Sequence, residues 1–241
     1  MNEPEFYVGY HPSAPPRLGR LIRIAVGALL AGAVALAWLL VSGQGPFQPS
    51  RFEFQQYREY RGLFSAWPYP TISTADADYL LVGEGKHGAA ALVPHEADGR
   101  VVRLRGALAQ NGSNRLLELQ PGSFGLVDSP PSRRDVLRYR PASLSGEIVD
   151  TKCFFGVMNP GSGKVHRDCA ARCISGGVPP GLLVRDASGA ARVFLLVGRD
   201  GVSLGKHLLP YAAEPVTVSG VIARAGSQWI LESSPGAIRR E

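Results

Sequence analysis

The chain carries the same pattern of short apolar runs twice. Leu80-Leu81-Val82-Gly83 recurs as Leu195-Leu196-Val197-Gly198, and each copy leads to a second run ending in glycine, Val102-Arg103-Leu104-Arg105-Gly106 and Val216-Thr217-Val218-Ser219-Gly220. Ala107 to Gln110, a turn at Asn111-Gly112 and Leu116 to Leu119 then correspond to Val221 to Arg224, a turn at Ala225-Gly226 and Trp229 to Leu231. Gly62 aligns with Gly146 ahead of these runs, and Gly85-Lys86-His87 and Gly205-Lys206-His207 stand between them. Two copies of this length mark a duplicated domain rather than a solenoid.

The runs are short, rich in β-formers and separated by Gly, Asn and Asp turns, so the expected class is mainly β. In the second copy the order is strand (Ser143 to Val149), strand (Gly181 to Arg185), strand (Arg192 to Val197), short helix (Leu204 to Tyr211), strand (Val216 to Ala223) and strand (Trp229 to Glu232). That order is the one found in OB-like small barrels, which close a sheet on itself and leave no free edge. The expected organisation is a first OB-like barrel over 51–122, a linker over 123–141 within the Pro-rich stretch Pro121 to Pro141, and a second OB-like barrel over 142–241. His87 and His207 of the two Gly-Lys-His segments are expected to cap the short helix of each copy, and His95 and His11 read as lone surface residues.

From Ile24 to Val41 no side chain is charged or strongly polar, which is close to the length needed to cross hydrocarbon. A transmembrane helix is expected over 21–42, after a tail of residues 1–20 and before a short stalk at 43–50 containing Pro46 and Pro49. Arg17, Arg20 and Arg23 flank its start, and no Lys or Arg follows until Arg51. The asymmetry places the N-terminus in the cytoplasm and the bulk of the chain in the periplasm, the anchor lying in the inner membrane. A cleaved signal peptide is the competing reading, with Val41-Ser42-Gly43 as the cleavage site. Gly27, Ala28, Ala31 and Gly32 form a small face on which a partner helix can pack closely.

Gly146 lies much farther from Leu195 than Gly62 does from Leu80, so the second copy holds an insertion, at about 150–180, with all three cysteines in it. The text Lys164 to Ser175 reads as a helix, with Ser162 available near its start and Gly176-Gly177 as its stop. His166, Cys169 and Cys173 then share one helix face, and Cys153, at the end of the preceding strand, is the fourth group to meet it. Lys152, Arg167 and Arg172 are the cations expected to favour thiolates.

The segment resembles a class of small secreted or membrane-anchored bacterial domains with an Asp-x-x-Cys strand end, His-x-x-Cys-x-x-x-Cys and a Gly-Gly turn. The matching residues are Asp150, Cys153, His166, Cys169, Cys173, Gly176 and Gly177, within a resemblance that covers residues 143 to 233. It implies an extracytoplasmic OB-like domain and no particular activity.

Three chemistries are open to these residues. Outside the cytoplasm a disulfide is the ordinary outcome. Cys169 and Cys173 are too far apart on a helix to bond each other, so Cys153 would pair with one and leave an odd thiol. Alternatively Cys153, His166, Cys169 and Cys173 form a Cys3His set for zinc or copper. In the third, Cys153 and a helix cysteine work as a redox pair. There is no Cys-x-x-Cys or haem-attachment motif, and no Ser-His-Asp order, phosphate loop or metal-hydrolase helix.

The formal charge of +6 comes from Arg scattered through Ala- and Gly-rich text, with only four Lys, and no basic tract is interleaved with aromatics. Nucleic acid is therefore not an expected partner. The expected role is non-catalytic: a membrane-anchored extracytoplasmic binding or accessory subunit of a redox or metal-handling membrane complex. A periplasmic thiol-disulfide oxidoreductase and a polymer-binding OB module are the alternatives.

Overall fold

The computed structural model describes residues 15–44, 49–127, 130–132, 134–199 and 201–241. The chain divides into two units, Met1–Phe47 and Gln48–Glu241. The first contains a helix, α1 (Pro16–Ser42), of 27 residues with none buried. At 1.5 Å per residue it is about 40 Å long, more than the roughly 30 Å of a bilayer's hydrocarbon. It is long and apolar enough to serve as a membrane anchor, and a signal sequence meets the same criteria.

α1 starts before residue 21 because Pro16 sits in the first turn, where its missing N–H breaks no helical bond. Arg17, Arg20 and Arg23 are thus helical, and Arg23 Nε donates to the Gly19 carbonyl at 3.2 Å. Gly27 and Gly32 face open space within this unit. His11 with residues 1–14 of the tail, and residues 45–48 of the stalk, lie outside the described residues.

The second unit holds two closed five-strand barrels. The first consists of β2 (Arg58–Ser65), β3 (Thr71–Ser73), β4 (Asp78–Val82), β5 (Val101–Asn111) and β6 (Asn114–Leu119), with β1 (Ser50–Phe52) and β7 (Gly125–Leu126) added along β5. The other consists of β8 (Val136–Asp150), β9 (Pro180–Arg185), β10 (Ala191–Gly198), β11 (Pro215–Ala225) and β12 (Gln228–Arg240). Their connectivity is the same. The first strand pairs with the second and fourth, the second with the third, and the fourth with the fifth, while the third and fifth run parallel.

The register places corresponding residues alike in the two barrels. Gly62 lies opposite Val102 and Gly146 opposite Val216. Leu80 lies opposite Leu116 and Leu195 opposite Ile230. A Cβ on Gly62 would overlap the Ser73 carbonyl, and one on Gly146 the Leu183 carbonyl, so both first strands need glycine where the second strand crosses them closely.

The doubled Leu-Leu-Val has a packing reason. Leu81 and Leu196 point into the separate barrel interiors, Leu81 among Phe64, Ile72 and Leu104, and Leu196 among Ile148, Leu182 and Leu231. Strand alternation turns Leu80, Val82, Leu195 and Val197 to the opposite face, yet they too are buried, in one core cluster with Tyr69, Phe154 and Phe155. Both faces of β4 and β10 are covered, so the two runs are continuously apolar rather than alternating.

The stretch expected as a linker contains β7 and the first residues of β8, which pairs with β11 as far as Val136 opposite Ala225. Pro141 fits because the register shifts between Val221 and Ala223, where a missing donor is tolerated.

Polar contacts cross the seam. Tyr69 Oη donates to the Leu196 carbonyl at 2.5 Å. Asp78 of β4 accepts from the Ser227 N–H at 2.6 Å and the Ser227 Oγ at 2.8 Å, and pairs with Arg134. Burial alone would raise the Asp78 pKa, but hydrogen bonds from Ser73 and Ser227 and the Arg134 charge outweigh it and hold the carboxyl below its usual range. A folded-state pKa below the unfolded one gives stability that is present above about pH 4 and lost as pH falls. Asp78→Asn is therefore expected to lower the melting temperature at pH 7 and to lower it by less near pH 3. Equal deficits at both pH values would show that the charge of Asp78 is not what holds the seam.

Candidate metal centre

The insertion leaves the second barrel at Asp150 and returns at Pro180. Thr151 ties its two ends together, bonding the Pro179 carbonyl through its N–H at 3.1 Å and its hydroxyl at 2.8 Å. The chain then forms a single π-helical turn, Cys153–Val157, and Asp150 Oδ1 accepts the Cys153 N–H at 2.8 Å as a helix cap would. Cys153 is therefore the first residue of a turn rather than the last of a strand. Gly156 makes this turn feasible: it has φ of +135°, and its Cα approaches the Arg51 and Gln110 carbonyls too closely for a side chain.

A short 3-10 turn, Lys164–His166, leads into α2 (Arg167–Ser175). Ser162 does not cap it, and the neighbouring Gly163 N–H donates to Glu147 Oε1 at 2.5 Å. Gly176 and Gly177 stop α2 as expected: the Gly176 N–H returns to the Arg172 carbonyl at 3.0 Å, and Gly177 has φ of +91°.

The expected residues come together in two overlapping groups that share Cys153: Cys153 with His166 and Cys169, and Cys153 with Cys173 and Asp150. Cys153 Sγ lies 3.9 Å from Cys169 Sγ and 4.0 Å from Cys173 Sγ. A His166 ring nitrogen lies within 4.8 Å of the Cys153 and Cys169 sulfurs, and an Asp150 carboxylate oxygen within 4.8 Å of those of Cys153 and Cys173. The cluster is capable of holding a metal ion. Cys153, Cys173, His166 and Asp150 are buried, whereas Cys169 is partly exposed.

Asp150 is the last residue of β8. It is fully buried, and its Oδ2 lies 3.0 Å from His166 Nε2. A carboxylate behind a histidine fixes the ring's orientation and raises its basicity, the common arrangement around metal-bound imidazole. Asp168 is exposed and takes no part.

The cation at the sulfurs is not one of the three expected. Arg167 pairs with Glu214 at 2.7 Å. Lys152 turns away into the first barrel, where its ammonium donates to the Gly83 and Gly85 carbonyls, each at 2.7 Å, and pairs with Glu118. Lys86 comes back from the first barrel, with Nζ 2.8 Å from Cys169 Sγ and 3.8 Å from Cys173 Sγ. The barrels thus exchange lysines. The two Gly-Lys-His segments do different jobs: the second lies in a helical turn, α3 (Gly205–Leu208), while the first is a non-helical turn aimed at the cysteines. His87, His95 and His207 are exposed.

These contacts set the charge distribution. The hydrogen bond to Cys169 holds the Lys86 ammonium above its ordinary pKa. The hydrogen bond with Cys173, then burial and the Asp150 charge, push Cys153 up and keep it a thiol. The same hydrogen bond lowers Cys173, and Lys86 adds to that.

Sequence reasoning missed the parts played by Lys86 and Glu118. One signal pointed to the lysines: in a chain with 26 basic residues only four are Lys, and two of those four make the buried or sulfur contacts between the first barrel and the insertion. No protein-family model matches the chain, and no curated protein or solved structure shows significant similarity to it.

Proposed function

We propose that this chain is a membrane-anchored extracytoplasmic accessory subunit that binds one thiophilic ion, zinc or copper, through Cys153, Cys169, Cys173 and His166. The observation that carries it is the spacing of the sulfurs. Tetrahedral coordination with metal–sulfur bonds of about 2.3 Å puts neighbouring sulfurs about 3.8 Å apart, and here two sulfur pairs lie at 3.9 and 4.0 Å. With Asp150 engaging Nε2, Nδ1 of His166 is the ring nitrogen left to act as ligand. Lys86 offsets part of the negative charge that three thiolates leave on a divalent or monovalent ion.

The strand order, with its parallel third and fifth strands, supports an OB-like identity for both barrels arranged in tandem. The arginines before α1 support a cytoplasmic N-terminus and a periplasmic second unit. The small face at Gly27, Ala28, Ala31 and Gly32 supports pairing with another transmembrane helix, and with it a place in a redox or metal-handling membrane complex.

The test is elemental analysis with thiol titration on the full chain, purified in detergent without chelator. About one equivalent of zinc or copper is expected, and its loss in Cys153→Ser and in His166→Ala. A metal-free protein with one free thiol would replace the metal centre by a disulfide from Cys153 to Cys169 or Cys173.

One contact favours a second reading, a thiol-disulfide oxidoreductase: the Lys86 ammonium lies 2.8 Å from the sulfur of Cys169, the partly exposed member of the three cysteines. Turnover of a small disulfide by the metal-free chain would support it.

A further inference from the structure

A second site lies at the seam, beside the turn that carries Cys153. Asn114 and Arg115 of the first barrel, Arg192 and Gln228 of the second, and Phe155 of the insertion line a cavity of about 270 Å³. Its walls are of two kinds. Phe155, Val193 and Leu195 are almost fully buried residues that present apolar surface to it. Around them stand amide and guanidinium groups.

The charge is unbalanced. Among the described residues neither Arg115 nor Arg192 has a carboxylate within 4.0 Å; Arg192 lies over the Trp229 ring, and Asp186 acts on it only at longer range. The one acid in the lining, Asp78, is already committed to Arg134, Ser73 and Ser227. Gln228 accepts from Thr71 Oγ1 at 3.3 Å through Oε1, which leaves its Nε2 as a free donor. The cavity therefore offers cations and N–H donors around an apolar floor, and its one acid, Asp78, is already paired.

We infer that this cavity binds a small organic anion with a flat apolar body, of the aryl carboxylate class. Phe155 and the edge of Trp229 meet the body, and Arg115 and Arg192 answer the acid group. A purely inorganic anion would leave the apolar floor wet, and a neutral aromatic would leave two guanidinium groups without a counter-charge. The floor residue Phe155 is two positions from Cys153 in the same turn, so the cavity and the cysteine centre share one element.

The probe is 2-naphthoate, measured by equilibrium dialysis against the full chain in lipid nanodiscs, with empty nanodiscs as the blank. Saturable binding with a Kd of about 0.1 mM is expected. The double variant Arg115→Gln/Arg192→Gln should weaken it about tenfold or more, at an unchanged melting temperature. The neutral isostere 2-naphthalenemethanol should bind more weakly than the acid, and equally to both proteins. Absence of saturable binding, equal affinity for acid and alcohol, or a double variant that binds naphthoate as tightly as the wild type would each overturn the assignment. None of these outcomes depends on whether the cysteines hold a metal.

Discussion

Lys152→Met is expected to lower the melting temperature by about 10 °C. The ammonium is buried and serves three acceptors at once, the Gly83 and Gly85 carbonyls and the Glu118 carboxylate, itself almost fully buried. Methionine replaces the volume but not the charge, so Glu118 is left buried with no counter-ion. Breaking one side of a buried pair costs about 3–5 kcal/mol, and for a unit of this size each kcal/mol is worth roughly 2–4 °C. Removing both charges in Lys152→Met/Glu118→Leu should recover a good part of the loss, because the isolated carboxylate is gone and only the two carbonyls lack a donor. The double-mutant cycle, read by thermal melting in detergent, decides the point. If the two losses simply add, no buried ion pair joins the barrels here.

The second large effect is expected from one methyl group. Gly176 follows α2 where the first barrel's turn crosses it, and the Gly88 N–H donates to its carbonyl at 3.0 Å. A Cβ at Gly176 would land on the Lys86 carbonyl oxygen, backbone against backbone, where no side chain can swing aside. Gly176→Ala must therefore push the 84–88 turn off the insertion. Overpacking of this kind costs about 3 kcal/mol, or roughly 6–12 °C here. Displacing the turn also withdraws the Lys86 ammonium from Cys169, and with that cation gone a cysteine-directed alkylating reagent should modify Cys169 more slowly in the variant than in the wild type. The control is Gly189→Ala, in an exposed turn with open space at Cβ; although the φ of +83° disfavours alanine there, the substitution should leave Cys169 reactivity unchanged. Unchanged stability and reactivity in Gly176→Ala would mean that the turn does not dock as closely as described.

The two substitutions bear on the same feature from opposite sides. Lys152 reaches out of the insertion into the first barrel, and Lys86 reaches out of the first barrel to the cysteines. The first barrel is thus part of the centre: its turn supplies the cation beside two of the sulfurs, and Asn111 Nδ2 donates to the Phe154 carbonyl at 2.9 Å within the Cys153 turn.

Much of this was legible before any coordinates, because it depends on local periodicity and on repetition. The duplicated runs placed the strands of both barrels, the matched glycines placed the crossings at Gly62 and Gly146, and the spacing of Cys169 and Cys173 placed both on α2, although His166 lies in the 3-10 turn before it. These features are local: each follows from side-chain alternation, turn chemistry or 3.6-residue periodicity within a short segment. The apolar run before residue 42 was legible for the same reason.

The tertiary structure alone decided the partners of those segments. Asp150 and Asp168 look alike in sequence, yet only Asp150 is buried against His166. Gly85-Lys86-His87 and Gly205-Lys206-His207 are the same three residues, and only the first is brought to the sulfurs. Lys152 stands beside Cys153 in the chain but serves the other barrel. Such choices depend on which surfaces meet when two barrels pack together across residues far apart in the chain, and local patterning does not record that. Burial, the energetic reason for each choice, is a property of the packed seam.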